Sequence, residues 1–257
     1  MTPRRAAFLL ALLLLAPLTT AAQTPRLLVE IEGGPVWQSS NEVEIPNDGT
    51  ATRFSLADVV GSGPWPAGRL YLTWNLAERH GLRLLLAPLS VTAAGVLARP
   101  VEFAGASYAP GQVRGTYTFN SYRLSYRYRF RDTERLTAWV GLTAKIRDAE
   151  IALEQGTTSS SSDDLGFVPL LHVAADWRVA PQWQVAVDAD ALAGGPGRAV
   201  DAALKAGYDL SESWRLSAGY RTVEGGADVS SVYNFAWLHY AVLSLTWRYS
   251  GHPGTAD

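Results

Sequence analysis

Hydrophobic and polar residues alternate along most of this chain. In the segment 185–191, valine or alanine occupies every second position, and Asp188 and Asp190 stand between them. The same alternation recurs in four other segments, 70–75, 136–140, 200–205 and 214–218. A period of two residues is typical of a β-strand with one apolar and one polar face. The chain is therefore predicted to be almost entirely β.

The alternation predicts ten strands: 27–37, 67–76, 82–93, 116–130, 136–151, 167–179, 183–193, 199–208, 214–221 and 236–249. Short connections (77–81, 131–135, 180–182, 209–213) alternate with mostly longer ones (38–66, 94–115, 154–166, the brief 194–198, 222–234). Short turns at one end and long loops at the other are typical of an up-and-down antiparallel transmembrane β-barrel. We expect such a barrel with ten strands, or with eight as the alternative. Loops 38–66 and 94–115 are expected to cap its outer end.

Aromatic residues gather near the predicted strand ends. One group lies beside the short turns or the carboxyl terminus: Trp74, Tyr128, Phe130, Trp177, Trp183, Tyr208, Trp214, Trp247 and Tyr249. A looser group lies at the opposite end: Trp37, Tyr117, Phe119, Phe167, Tyr220 and Trp237. Membrane barrels carry aromatic girdles at both interfaces. A soluble β-sandwich would hold its aromatic residues in the core and has no need of them at one end of every strand.

The amino terminus predicts export. Arg4 and Arg5 precede an apolar run over 6–18, and the small residues Thr20 and Ala22 follow it. This order is that of a secretory signal peptide, because an apolar run of this length is too short for a spanning helix of about 20 residues. We expect residues 1–22 to be cleaved, residues 23–257 to form the barrel domain, and the protein to lie in a Gram-negative outer membrane.

Composition removes several kinds of chemistry. The 257 residues include no cysteine and four histidines, which excludes thiol catalysis, disulfides and thiolate-bound zinc. No cofactor or metal is expected, and the formal net charge of −2 gives no sign of nucleic-acid binding. The low charged fraction, 18%, agrees with a large lipid-facing surface.

The carboxyl-terminal segment carries a resemblance. From Gly219-Tyr220-Arg221 to Trp247-Arg248-Tyr249, the chain resembles the last hairpin of small bacterial outer-membrane β-barrel proteins, although residues 250–257 follow the final aromatic residue. The resemblance is one of pattern, extends over the whole exported chain and identifies no single family. It implies insertion by the barrel assembly machinery and contact with outer-membrane lipid and lipopolysaccharide. We expect a monomer.

If the apolar faces meet lipid, the polar faces line the lumen. The candidate lumen residues are His172, Asp188, Asp190, Asp201, Arg221, Arg123, Arg127, Lys145, Glu30 and Arg248, and Glu32, Arg69, Arg83 and Lys205 also face inward. Because buried charges require partners, we expect an ion network that largely fills the lumen. The alternative is a lining for a small solute, with the arginines making it anion-selective.

Pairing across the short turns makes this network specific. It places His172 opposite Asp190, and Asp190 opposite Asp201. The next turn is expected to place Asp201 opposite Arg221 and Lys205 opposite Ser217. We also expect Glu30 to reach Arg248 where the barrel closes, and Arg127 to stack on Trp139.

Two histidines could carry catalysis. Asp188 and Asp190 with His172, expected near the outer rim, loosely resemble the arrangement in omptin proteases, but the Asp-x-His pair of that family is missing from this chain. In barrel lipases and lipid A deacylases, a serine lies two residues from the histidine. Next to His239 that position is Ala241, and Ser244 lies on the opposite face, so His239 is predicted to be an interfacial residue without a serine partner.

The sequence thus predicts a non-enzymatic integral outer-membrane barrel of structural, ligand-binding or narrow-pore type. Two alternatives remain open. One is a rim hydrolase that uses Asp188, Asp190 and His172. The other is a surface adhesin that acts through its outer loops, among which the run 157–164 is expected to be solvated.

Overall fold

The structure is a computed structural model that describes residues 25–250. The predicted signal peptide, 1–22, lies outside the described residues, as do residues 251–257. No helix within residues 25–250 is long and apolar enough to cross a membrane.

The chain folds into fourteen strands and one short helix. In chain order these are β1 (Leu27–Glu44), β2 (Phe54–Ser55), α1 (Leu56–Val60), β3 (Trp65–Asn75), β4 (His80–Ala87), β5 (Ser90–Leu97), β6 (Val101–Phe103), β7 (Ala106–Tyr108), β8 (Gly111–Asp132), β9 (Leu136–Gln155), β10 (Thr158–Ala180), β11 (Trp183–Gly194), β12 (Gly197–Asp209), β13 (Trp214–Val229) and β14 (Val232–Tyr249).

The long strands form a closed antiparallel ring. Each pairs with its neighbours in the order β1, β3, β4, β8 and then β9 to β14, and β14 pairs back onto β1. Strands β4 and β5 share one position because both pair with β8, so the ring has about ten positions. The prediction of a ten-stranded antiparallel barrel is confirmed. We call the β1–β14 junction the seam.

The interruption between β4 and β5 lies at Pro88. Proline has no N–H group to donate to a neighbouring strand. Beside it, the Leu89 N–H group donates to Asn120 Oδ1 at 3.1 Å, and the Phe119 N–H group donates to the Leu89 carbonyl at 2.8 Å. The Asn120 side chain therefore replaces a regular ladder contact at this break.

Two predicted loops are strands. The segment 154–166 belongs to a hairpin in which β9 ends at Gln155 and β10 begins at Thr158. Likewise, β13 ends at Val229 and β14 begins at Val232, within the predicted loop 222–234. The run 157–164 is therefore largely an extended strand and not a loop. Serines and aspartates occupy both faces of this strand, so no apolar face marks it: the outward Asp163 is exposed, and the inward Ser160 donates to the Phe103 carbonyl at 2.9 Å.

The polarity of the two barrel faces inverts along the longest strands. On β9 the outward Leu142 and Ile146 are exposed, whereas the next outward positions are Asp148 and Glu150. The inward positions change in the opposite sense, to the buried Leu153 at the end of the strand. The apolar outward stretch, 136–146, covers the roughly 9 to 11 residues that a tilted spanning strand requires. Beyond it the barrel has the polarity of a soluble protein.

We call the part of the barrel beyond the apolar band the extension. The two longest connections pack inside it. Residues 45–64, which include α1, and residues 98–110, which include the β6–β7 hairpin, contact inward side chains of the barrel wall. The resulting cluster, here called the mouth core, contains Val43, Ile45, Phe54, Leu56, Val59, Val60, Leu97, Val101, Phe103, Tyr108, Val113, Tyr117, Ile151, Leu153 and Ala236. A second apolar layer lies beneath it, formed by Val36, Leu89, Val91, Val223, Leu238, Tyr240 and Val242.

Exposed aromatic side chains surround the apolar band. Near the short turns these include Trp74, Phe130, Trp177, Trp183, Trp214 and Tyr249. At the opposite edge they include Trp37, Phe167, Tyr220 and Trp237. The prediction was wrong for Tyr117 and Phe119, which face the interior, because the inversion of polarity places aromatic residues inside the upper part of β8.

Candidate functional site

Charged side chains fill the lumen below the second apolar layer. They come from strands all around the ring, and we call them the lumen network: Glu30, Glu32, Arg69, Arg83, Arg123, Lys145, His172, Asp188, Asp190, Asp201, Lys205 and Arg221. Alternation alone directs these residues inward, since their outward neighbours are the apolar residues of the membrane band.

Asp201 is the central carboxylate of the lumen network. Its Oδ2 accepts hydrogen bonds from Arg69 Nη2 and Arg123 Nη2, each at 2.7 Å, and its Oδ1 accepts one from Arg221. The residue is 3% exposed. A single buried carboxylate therefore links strands β3, β8, β12 and β13.

A second group of ion pairs crosses the seam side of the lumen. Glu32 accepts hydrogen bonds from Arg221 Nε at 2.9 Å and from Lys205 Nζ at 3.1 Å, and Glu30 also pairs with Lys205. The aromatic ring of Tyr71 lies among four of the cations, with the nearest, Arg83, 5.4 Å from the ring centre. The buried cations are thus stabilised both by carboxylates and by the π-face of the Tyr71 ring.

His172 lies opposite Asp190, and Asp190 opposite Asp201, as the sequence predicted. His172 Nδ1 is 2.8 Å from Asp190 Oδ1, while Thr143 and Arg123 each donate to Asp190 at 2.9 Å. The predicted position near the outer rim was wrong. His172 and Asp190 are 1% and 2% exposed, because the apolar layers lie above them.

Asp188 also lies within the lumen network and not at the rim. It forms a bidentate pair with Arg83, in which Arg83 Nη2 donates to Oδ1 at 3.1 Å. Because both oxygens of Asp188 bind Arg83, this carboxylate is not free for the role that a rim hydrolase would require of it. Within residues 25–250, no cluster of three or more histidine, aspartate and glutamate side chains is placed to hold a metal ion.

The remaining register predictions were partly wrong. Asp201 lies opposite Val223 and Lys205 opposite Gly219, because the β12–β13 turn pairs Asp209 with Arg215 and not with Ser213. This shift of two residues keeps every side chain on its predicted face. Arg221 therefore still reaches Asp201.

The predicted contact between Glu30 and Arg248 is not formed. Glu30 lies opposite Thr246 and pairs with Lys205. Arg248 lies nearer the short turns, where its Nη2 donates to Asp209 Oδ1 at 3.0 Å. The register at the seam could not be predicted because no short turn connects β1 to β14.

Two predicted lumen cations contact aromatic rings. The Arg127 guanidinium lies 4.5 Å from the ring centre of Trp139, the predicted stacking, although Trp139 is opposite Arg129 in the register. The Lys145 ammonium lies 4.8 Å from the ring centre of Phe119, at the boundary with the second apolar layer. These contacts favour filling of the lumen over an open charged lining.

A separate polar cluster lies on the outer face of the seam. His239 of β14 has its ring centre 5.8 Å from that of Trp37 and 5.3 Å from that of Trp237. His239 Nδ1 hydrogen-bonds to the Tyr220 hydroxyl, and His239 Nε2 lies 2.8 Å from Ser39 Oγ. We call these five residues the seam site.

The sequence predicted an interfacial His239 without a serine partner, and the second part was wrong. Ser39 lies on β1, 200 residues away along the chain, and reaches His239 only across the closed seam. A search for a serine on the histidine's own strand misses it. The signal was the pair Ser39-Ser40 shortly after Trp37, but using it requires the register of β1 against β14.

The chain matches no family model and no curated protein. Its fold is similar to that of the outer membrane protease OmpT from Escherichia coli, with 9% identity, 90% of this chain and 99% of that chain covered, and a TM-score of 0.55. For Neisserial surface protein A the identity is 11%, the alignment covers 87% of this chain and 97% of that chain, and the TM-score is 0.40. For Ail of Yersinia pestis the identity is 13%, the alignment covers 86% of this chain and 98% of that chain, and the TM-score is 0.37.

At these identities the likeness is one of fold. The chain shares a β-barrel fold with that outer membrane protease, and the resemblance of pattern seen in its sequence is confirmed at the level of the fold.

Proposed function

We propose that this chain is an integral outer-membrane protein whose barrel is closed to solutes and which acts from its surface. The observation that carries the proposal is the filling of the lumen at successive levels. The mouth core, the second apolar layer and the lumen network lie one below another inside the ring. A lumen filled by its own side chains has no continuous path for a solute.

Three features support the outer-membrane location. The outward face carries an apolar band of membrane length, aromatic side chains surround the band, and the predicted signal peptide accounts for export. Contact with lipopolysaccharide, insertion by the barrel assembly machinery and a monomeric state belong to the same proposal. Fractionation of cells that express the full chain tests the location. We expect the protein in the outer-membrane fraction, and its recovery as a soluble periplasmic protein would contradict the proposal.

The alternatives lose support from particular contacts. The rim hydrolase needs accessible Asp188, Asp190 and His172, and all three are engaged inside the lumen network. An adhesin that uses the two longest connections needs them on the outside, and both contribute to the mouth core.

Conductance measurements test the closed lumen. We expect the refolded barrel to produce no discrete current steps in planar bilayers over many insertions, because side chains of the barrel fill its lumen. A general porin reconstituted in the same way serves as the control for insertion. Regular steps whose conductance changes in Arg123→Ala would contradict the proposal and support a pore lined by the lumen network.

A further inference from the structure

The seam site contains a serine whose local backbone differs from the rest of β1. Gln38 lies opposite Leu238 and Ser40 opposite Trp237, so Ser39 is the additional residue of a β-bulge. A bulge bends its strand and redirects neighbouring side chains. Here it leaves Ser39 exposed on the outer face, beside the imidazole of His239.

Buried amides fix this bulge from the inside. The Gln38 side chain donates to the Gly61 carbonyl at 2.6 Å, and its backbone N–H group donates to the Ser62 carbonyl at 3.0 Å. Asn41 on the other side of the bulge donates to Gln38 Oε1 at 3.1 Å. The segment after α1 thus holds Ser39 in place through its neighbours. A site held in this way is preorganised before any ligand arrives.

The contacts run from Ser39 to His239 and from His239 to Tyr220, which is the arrangement of a nucleophile, a base and a group that orients the base. A serine hydroxyl is a weak nucleophile unless an adjacent base accepts its proton. The 2.8 Å separation between Ser39 Oγ and His239 Nε2 lies within the range of about 2.6 to 3.2 Å for such a transfer. The Tyr220 hydroxyl at the other ring nitrogen fixes the plane of the imidazole, and Trp37 and Trp237 flank it.

The position of the seam site selects the class of substrate. The side chains towards the short turns on β14 are apolar and outward, with Leu243 exposed. In the other direction, Thr222 accepts a hydrogen bond from Trp237 Nε1 at 2.7 Å, and the ion pair of Arg198 with Glu224 follows. The serine therefore lies where acyl chains meet polar head groups, which is the depth of the ester bonds in a lipid.

We propose that the seam site hydrolyses carboxylic esters of long-chain acyl lipids, with Ser39 as nucleophile and His239 as general base. The ester could come from a glycerophospholipid or from the acylated saccharide lipid of the outer leaflet, since both present the same bond at this depth. The proposal goes beyond the closed barrel and does not depend on whether the lumen conducts.

The reaction proceeds through an acyl-enzyme. Ser39 Oγ attacks the carbonyl carbon while its proton moves to His239 Nε2, and His239 Nδ1 donates its proton in a hydrogen bond to Tyr220 Oη. The tetrahedral intermediate expels the alcohol, which takes the proton from Nε2. A water molecule then attacks the acyl-serine and gives its proton to Nε2. Collapse of the second intermediate returns that proton to Ser39 and releases the fatty acid, so one ester and one water yield one acid and one alcohol.

Ester hydrolysis and covalent labelling test this directly. The full exported chain in detergent micelles is expected to cleave p-nitrophenyl palmitate, and a fluorophosphonate probe is expected to add mass to the peptide that contains Ser39. Ser39→Ala and His239→Gln should each lower the rate by about 100-fold or more, the usual contribution of such groups. Tyr220→Phe should lower it less, and acidification should abolish activity because a protonated imidazole accepts no proton.

Ser40→Ala is the matched control, since Ser40 belongs to the same bulge and the hydrogen bond of His239 Nε2 goes to Ser39. It should keep the parent rate, and heat-modifiability on gels should show that every variant retains the folded barrel. Fatty acid released from phospholipid vesicles or from lipid A vesicles identifies the source of the ester. Absence of both turnover and labelling in the parent protein would overturn the proposal, and so would full activity in Ser39→Ala.

Discussion

Asp201 is the residue of the lumen network on which three guanidinium groups converge. Removing one member of a buried ion pair costs about 3–5 kcal/mol, since the remaining charge has neither water nor a partner. Each of these three arginines has a further carboxylate: Arg123 also binds Asp190, Arg221 also binds Glu32, and Arg69 Nε lies 3.7 Å from Glu32. The effect of its loss should therefore be large without abolishing the fold.

We expect Asp201→Ala to lower the temperature at which the barrel changes its mobility on gels, compared with the parent protein. Asp163→Ala is the control, because Asp163 is an exposed carboxylate on the solvent-facing part of β10. Equal transitions for the two variants would show that the lumen network does not stabilise the barrel.

Sequence reasoning reached the lumen residues but not the seam site, for a physical reason. Alternation reveals which face a residue such as Asp190 occupies, and a short turn reveals what lies opposite. Both kinds of information end at the seam, where β1 meets β14 without a connecting turn. The bulge at Ser39 also adds a residue that alternation cannot locate, so the contact with His239 appears only in the folded chain.

Among the elements, helix α1 is unusual because a membrane barrel holds it inside its mouth. It packs against β5 at Gly95, where an added Cβ atom would lie 2.2 Å from the Val59 carbonyl oxygen. The two mouth segments are also joined to each other, since Arg99 donates to the Arg53 carbonyl at 2.7 Å. Close approach at one glycine thus supports the packing of the mouth core.

Gly95→Val is expected to displace α1 and to speed cleavage by trypsin after Arg53, measured in detergent by the appearance of the amino-terminal fragment. Gly68→Ala is the control, because nothing lies within 4 Å of a Cβ atom built at that strand position. If the two variants are cut at the same rate, the mouth core does not depend on this contact.

Considered as a whole molecule, the barrel has two zones with opposite polarity. The membrane zone is apolar outside and charged inside, and the extension is polar outside and apolar inside. The sequence-based strands stopped near the boundary because serines and acids on β9 and β10 resemble loop composition. The ten-strand count survived because the membrane zone alone determines it, whereas the height of the barrel and the burial of its connections depend on packing between distant segments.

The absence of native cysteine makes the boundary measurable. Glu150→Cys and Leu142→Cys place thiols on the same face of β9, one in each zone. In lipid vesicles we expect a water-soluble maleimide to label the first rapidly and the second only after detergent is added, because the reactive thiolate requires water. Rapid labelling of both positions before detergent would contradict this placement of the membrane.

The seam determines when the proposed site can form. Ser39 comes from the first strand and His239 from the last, so the two halves of the proposed site meet only when the ring closes. Glu32 likewise neutralises Arg221 and Lys205 only in the closed barrel. On the proposed export route, an unfolded chain therefore lacks the assembled pair and would not hydrolyse the lipids of membranes that it contacts before it folds. In the proposed hydrolase, closure of the barrel would be the activation step that other hydrolases obtain by cleavage of a propeptide.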